Sequence, residues 1–199
     1  VRPEAASLSS PSRSAPMPAT ALDPTTALIL IDLQKGILAL PTIRPSGEIV
    51  AAAARLAAGF RRAGLPVVLV DVAGGPPVRV ERPRSVAGLP ADWRDLAPEL
   101  GAAADDLRVT KRSWGAFTAT GLEAALRERG VTQVVIAGIS TSIGVETTAR
   151  QAFEAGINVT VAVDAVTDLD AGAHERALTV IFPRIGETAT RSEEHTSEL

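Results

Sequence analysis

The chain of 199 residues contains no cysteine, one methionine, two histidines and only 3% aromatic residues. Without cysteine there is no disulfide, no thiolate zinc site and no thiol nucleophile. Two histidines, His174 and His195, do not make a histidine-rich metal site. No apolar run is long enough to span a bilayer, since ALILI (27–31) and PVVLV (66–70) have only the length of strands. A net charge of −3 and a pI near 5.5 offer no basic surface for nucleic acid or an anionic membrane. Three motifs are also missing: no GxGxxG follows the first apolar run, and there is neither a GxxxxGK[ST] loop nor a GxSxG elbow. The expectation is a protein without cofactor or metal, acting on a small molecule.

What is present is ordinary globular composition, 46% apolar and 22% charged, in a length that suits one α/β domain. Cytoplasm is the default compartment. Both ends look foreign to that domain. Residues 1–16, VRPEAASLSSPSRSAP, are Ser-, Pro- and Arg-rich without periodicity. They read either as a transit peptide or as an upstream extension before Met17, the second being the simpler. At the other end, RSEEHTSEL (191–199) resembles the translation of a sequencing-library adapter, which removes His195 from consideration. The expected domain is 17–190.

Within it, strand-like and helix-like segments alternate. ALILIDL (27–33), PVVLVDV (66–72), LRVTK (107–111), VTQVVIAG (131–138) and INVTVAVDA (157–165) read as strands. EIVAAAARLAAGFRRAG (48–64), GLEAALRERG (121–130), a segment from about Ile143 to Ala155, and AGAHERALTVIF (171–182) read as helices. The Gly- and Pro-rich 73–84 segment is a long loop. This alternation predicts a mostly parallel sheet covered on both faces. Ligands bind such sheets beyond the carboxyl ends of the strands, which selects Asp32, Asp71, Lys111, the 138–144 turn and Asp164.

Asp32 closes the first buried strand, where a carboxylate needs a partner or a task; taken alone, it is as well explained by capping a loop. Lys111 ends its own strand and, taken alone, is a solvated lysine. Together at one sheet edge they can form a proton-shuttling pair, each tuning the other. The 138–144 turn opens into a helix whose first amides can hold an oxyanion, one donor being worth about 3 kcal/mol, or can simply be capped.

The segments IDLQKG, TKRSWGAFTATGLEAALRERGV, VVIAGISTSIGVETTARQAFEAG and VAVDAVTD together resemble the isochorismatase-like hydrolase family over roughly residues 24–190. The resemblance implies a Rossmann-like, three-layer α/β/α sandwich around a six-stranded, mostly parallel sheet, in a homo-oligomer. It places Asp32 and Lys111 at the family's catalytic aspartate and lysine, and Gly144 at the position of its nucleophilic cysteine. Gln34, Ser140, Thr141, Trp114 and Phe117 fall at substrate-binding or oxyanion positions, and a non-proline cis peptide falls at Ile139–Ser140. Isochorismatases also carry glycine in place of the cysteine, which implies acid-assisted hydrolysis of a vinyl ether with Asp32 as the acid. An adjacent ammonium works against that acid, so burial or substrate must restore its proton. STSIG stands where isochorismatases resemble YAHIG, so the pocket histidine is missing. The hydroxyls of Ser140, Thr141 and Ser142 have no histidine base beside them, and His174 is expected on a helix surface. The rival reading is a silent family member that binds a metabolite or serves as a scaffold.

Overall fold

All six residues of β1 (Thr26–Ile31) are buried. Side chains alternate across a strand, so Ala27, Ile29 and Ile31 enter one hydrophobic cluster while Leu28 and Leu30 enter another. A strand wetted on neither face belongs inside a parallel sheet with helices on both sides. Fully burying one Leu or Ile is worth about 1.5–3 kcal/mol, so a charge at Ile29 would break the sheet.

The structure is a computed structural model that describes residues 22–82 and 86–189. The expected 1–16 extension, Met17 and the 191–199 tail lie outside the described residues.

Five further strands follow β1: β2 (Val67–Val72), β3 (Leu107–Lys111), β4 (Gln133–Ile139), β5 (Asn158–Thr167) and β6 (Glu187–Ala189). They form one sheet in the order β3-β2-β1-β4-β5-β6, and every neighbouring pair is parallel. A short α1 (Lys35–Leu38) follows β1, and α2 (Ser46–Arg62) lays Ile49, Ala53, Leu56 and Phe60 on the Leu28–Leu30 face. On the opposite face, α3 (Leu122–Glu128) and α4 (Glu146–Glu154) bury Leu122, Leu126, Ala149 and Ala152. The three-layer architecture is the expected one, with a sheet that is parallel throughout.

Three boundaries differ from the expectation. The helix after β4 does not begin at Ile143: a π-helical turn, Thr141–Val145, precedes α4. The last predicted helix is α5 (Ala171–Arg176) and α6 (Phe182–Ile185) joined by a second π-helical stretch, Ala177–Ile181. β5 runs two residues beyond 165, because its register against β4 shifts between Ile136 and Gly138. The inserted residues bulge out of the ladder, and Asp164 lies among them rather than at the strand's end.

The strand order positions the site. The chain moves outward from β1 to β3, then returns to place β4 on the other side of β1. Where the order reverses, loops leave adjacent strand ends in opposite directions and open a crevice. Asp32 follows β1 at that reversal, and the 140–144 turn follows β4.

Candidate active site

Asp32 turns the chain at the end of β1 with φ at 54°, a left-handed conformation that aspartate tolerates better than most side chains. Its amide donates to the Val70 carbonyl at 3.0 Å. Lys111 comes from β3, two strands away. The period of that strand puts it on the buried side with Val109, and its long stem reaches past the end of β2. Its Nζ donates to Asp32 Oδ2 at 2.8 Å, to the Trp114 carbonyl at 2.9 Å and to the Ser113 carbonyl at 3.3 Å. Three acceptors match the three hydrogens of an ammonium.

The pair is closed off from water, with side chains 2% and 8% exposed for Lys111 and Asp32. Asp32 Oδ1 is buried and has no hydrogen-bond partner among the described residues. Burial pushes the Asp32 carboxyl up; the charge and hydrogen bond of Lys111 pull it down, and Asp71 adds a small upward push. Burial wins, and the carboxyl rises from 3.8 to about 6. Such a group holds its proton into the mildly acidic range, as a general acid must.

The turn beside it begins with the cis peptide Ile139–Ser140, at the position the resemblance assigned. The Ser140 carbonyl accepts from both Ile143 N and Val145 N, each at 3.1 Å. The helix amides expected to be free are partly engaged: Ser142 N donates to Asp168 Oδ2 at 2.6 Å. Among the described residues the Thr141 amide has no acceptor, and the Gly144 amide has none outside its own turn. Thr148 locks the turn from α4, donating its hydroxyl to the Gly144 carbonyl at 2.7 Å and accepting from Ala116 N at 3.1 Å. Gly144 is thereby tied to the loop whose carbonyls hold Lys111. A Cβ placed on Gly144 would stand 3.4 Å from Asp32 Oδ2 but 2.9 Å from the Cγ2 methyl of Ile31. Ile31 therefore fills part of the space in front of this glycine.

The other sequence candidates divide. Asp32, Lys111, Gly144, Ser140 and Thr141 come together. Gln34 is fully buried and both ends of its amide bind backbone, Oε1 taking Val72 N at 2.7 Å and Nε2 giving to Val72 O at 3.1 Å. Its evident task is to join the ends of β1 and β2. Trp114 is 63% exposed while its carbonyl holds Lys111. Phe117 packs against the core cluster of the α3–α4 side, with its amide on Gln151 Oε1. Asp71 is occupied by Arg94 and Thr110. Among the described residues no three His, Asp or Glu side chains are grouped to hold a metal ion.

Three residues escaped the sequence reading. Asp168 lies just beyond the end of β5, where the strand-end rule would have selected it had the bulge been visible. Thr148 looked like any helix interior threonine. His174 is not a surface residue: it is half-buried, and its Nδ1 lies 2.8 Å from the Thr141 hydroxyl. The hydroxyl row of the turn does have an imidazole beside it, supplied by a helix thirty residues downstream.

Comparison with known proteins places these residues in context. The family model described as the Isochorismatase domain matches residues 26–193. An uncharacterized isochorismatase family protein of Escherichia coli O157:H7, YecD, is 44% identical over 168 residues, covering 81% of this chain and 89% of its own. A second such protein, YwoC of Bacillus subtilis, is 41% identical over 175 residues, covering 84% and 91%. The solved structure of an isochorismatase family protein from Burkholderia thailandensis superposes with a TM-score of 0.83 at 44% identity, covering 87% of this chain and 95% of that one.

Proposed function

The chain belongs to the isochorismatase family of hydrolases, and from that premise we propose that it hydrolyses a small polar metabolite of the vinyl ether type by acid assistance, without an enzyme nucleophile, using the Asp32–Lys111 pair. The observation that carries this is the Asp32 carboxyl: Oδ1 buried and unpartnered, burial raising it to about 6, beside a glycine where a nucleophile would otherwise stand. No cysteine exists anywhere in the chain to form a thioester.

Asp32 Oδ1 gives its proton to the terminal enol carbon of the substrate. The oxocarbenium ion so formed faces the new Asp32 carboxylate, which Lys111 holds in place. Water adds to the cationic carbon and returns a proton to Asp32. The hemiketal then collapses, its C–O bond breaks, and an alcohol and a carbonyl compound leave. The Thr141 amide, which has no acceptor among the described residues, is suited to hold an anionic or carbonyl oxygen of the substrate.

A conventional amidase route through a hydroxyl is disfavoured on geometry. Thr141 has a histidine beside it, but it does not stand at the position of the family's nucleophile, where this chain has Gly144. The rival reading, a silent member that holds a metabolite or serves as a scaffold, is favoured by one observation, the near-complete burial of Lys111 and Asp32.

A panel of vinyl ethers and small amides on the full chain, with Asp32→Asn and Lys111→Ala as controls, separates these readings. Turnover of a vinyl ether that disappears in Asp32→Asn supports the acid. Turnover unaffected by Asp32→Asn sinks it. No turnover, with a panel compound raising the melting temperature, favours the silent binder. The same reading carries a cytoplasmic homo-oligomer; light scattering on the purified chain tests the assembly.

A further inference from the structure

Thr141 sits in the π-helical turn and is completely shielded from solvent. Its hydroxyl is bonded to Nδ1 of His174 at 2.8 Å, and α5, which carries that histidine, packs against the turn. The next residue, Ser142, gives its amide to Asp168, whose other oxygen takes Leu169 N at 2.7 Å. The turn is thus gripped on two consecutive residues from the β5–α5 side and on Gly144 by Thr148 from α4. Asp32 lies directly against the gripped segment, Oδ2 being 3.4 Å from a Cβ position on Gly144. A shift of the turn therefore changes what the acid faces.

We propose that His174 is a positioning residue for the reaction: through the Thr141 hydroxyl it sets the turn, and with it the Thr141 and Gly144 amides, against Asp32. The proposal rests on the acid-assisted reading above. Removing the imidazole leaves a buried hydroxyl unpaired, a cost that the turn relieves by moving toward another partner. His174 does not act on Asp32 through charge. The groups that move Asp32 electrostatically are Lys111 and Asp71. Burial, helped by a smaller push from Arg44, holds the imidazole below its ordinary range against the upward pulls of Asp168 and Glu175, which favours its neutral form. Any effect on Asp32 must pass through the turn.

The test compares wild type with His174→Ala, His174→Asn, Thr141→Val and the double variant His174→Ala/Thr141→Val, all in the full chain. One readout needs no substrate: the midpoint of the Asp32 carboxyl, followed by carbon NMR. The other is kcat and KM on a vinyl ether that the wild type hydrolyses. His174→Ala is expected to move the Asp32 midpoint by about half a unit or more. It is also expected to lower kcat roughly ten- to a hundredfold at similar KM, the loss typical of misplacing a site by an ångström. His174→Asn, whose amide can occupy the place of Nδ1, restores both. The double variant matches the single ones, because they remove one interaction.

A variant that loses only melting temperature, with midpoint and kcat unmoved, overturns the proposal, as does additivity in the double variant. Should His174→Ala not fold, the near-isosteric Thr141→Val is judged by the same two shifts. Should the wild type turn over no vinyl ether, the acid-assisted reading falls, and the Asp32 midpoint alone decides for or against His174.

Discussion

The Cγ2 methyl of Ile31 stands 2.9 Å from the point where a Cβ on Gly144 would fall. Ile31 is the last residue of β1, is fully buried and is immediately followed by the acid. A side chain at 144 therefore has to displace a core methyl before it can reach a substrate.

Gly144→Ala should consequently destabilise the protein by about 1–3 kcal/mol through overpacking, although alanine is favoured over glycine in helical backbone by about 1 kcal/mol. Ile31→Ala in the same chain removes the obstructing methyl. Urea unfolding of the four proteins in that cycle should show a double variant more stable than the two single effects predict. Strict additivity would mean that the glycine is not required by Ile31.

Activity should fall as pH rises through about 6, because the reaction needs the protonated form of Asp32. The same shift acts on stability, with the sign of a raised folded pKa. The contribution of the protonated carboxyl is fully present below 3.8 and is lost as pH rises through about 6, in total roughly 3 kcal/mol. Wild type should therefore lose stability relative to Asp32→Asn between pH 4 and pH 7.5, measured by chemical denaturation across that window. A relative gain over the same window contradicts the assignment.

Lys111→Met should fold, since the thioether stem fills much the same buried space. Losing the ammonium removes the largest influence that pulls Asp32 down, so its midpoint should climb above 6. Asp32 then stays neutral at pH 7, which keeps the loss of stability below the roughly 3–5 kcal/mol expected when a buried charge is stranded. Carbon NMR of the Asp32 carboxyl reads this directly; an unmoved or lowered midpoint is the contrary result.

A change far from the crevice serves as the contrast. Asp106 takes Arg61 Nε at 3.0 Å, Arg61 Nη2 at 2.8 Å and Ala103 N at 2.7 Å. Burial works to raise its carboxyl, but Arg61 and the amide outweigh it and hold the carboxyl below its ordinary value. Its stabilising contribution is therefore present above 3.8 and lost as pH falls below that. Asp106→Asn should cost roughly 1.5–3 kcal/mol at pH 7 and leave kcat and KM alone. The difference from wild type should narrow as pH falls below 3.8.

Much of this was legible beforehand. The unbroken apolar run of β1, the LRVTK strand and the Gly-closed helices come from local pattern, and they are where the structure has them. Asp32 and Lys111 were found because acids and bases at the carboxyl ends of parallel strands share one edge whatever the loops do. Asp164 was misplaced because a bulge leaves no mark in the pattern of apolar residues, and the same bulge hid Asp168. Gln34 and Phe117 matched expected site positions, yet the structure directs the amide of the first to backbone and the ring of the second to the core.

Sequence alone determined the class of sheet, the candidate acid and lysine, and the absence of any thiol, because each depends on residue type and short-range periodicity. Only the tertiary structure decided how the acid is tuned. Its rise to about 6 comes from the burial of the whole strand end winning against a lysine brought from two strands away. Tertiary packing likewise put Ile31 into the space of Gly144, and brought His174 to Thr141 across 33 residues of chain. Such long-range contacts have no period to read, since they are set by how layers pack.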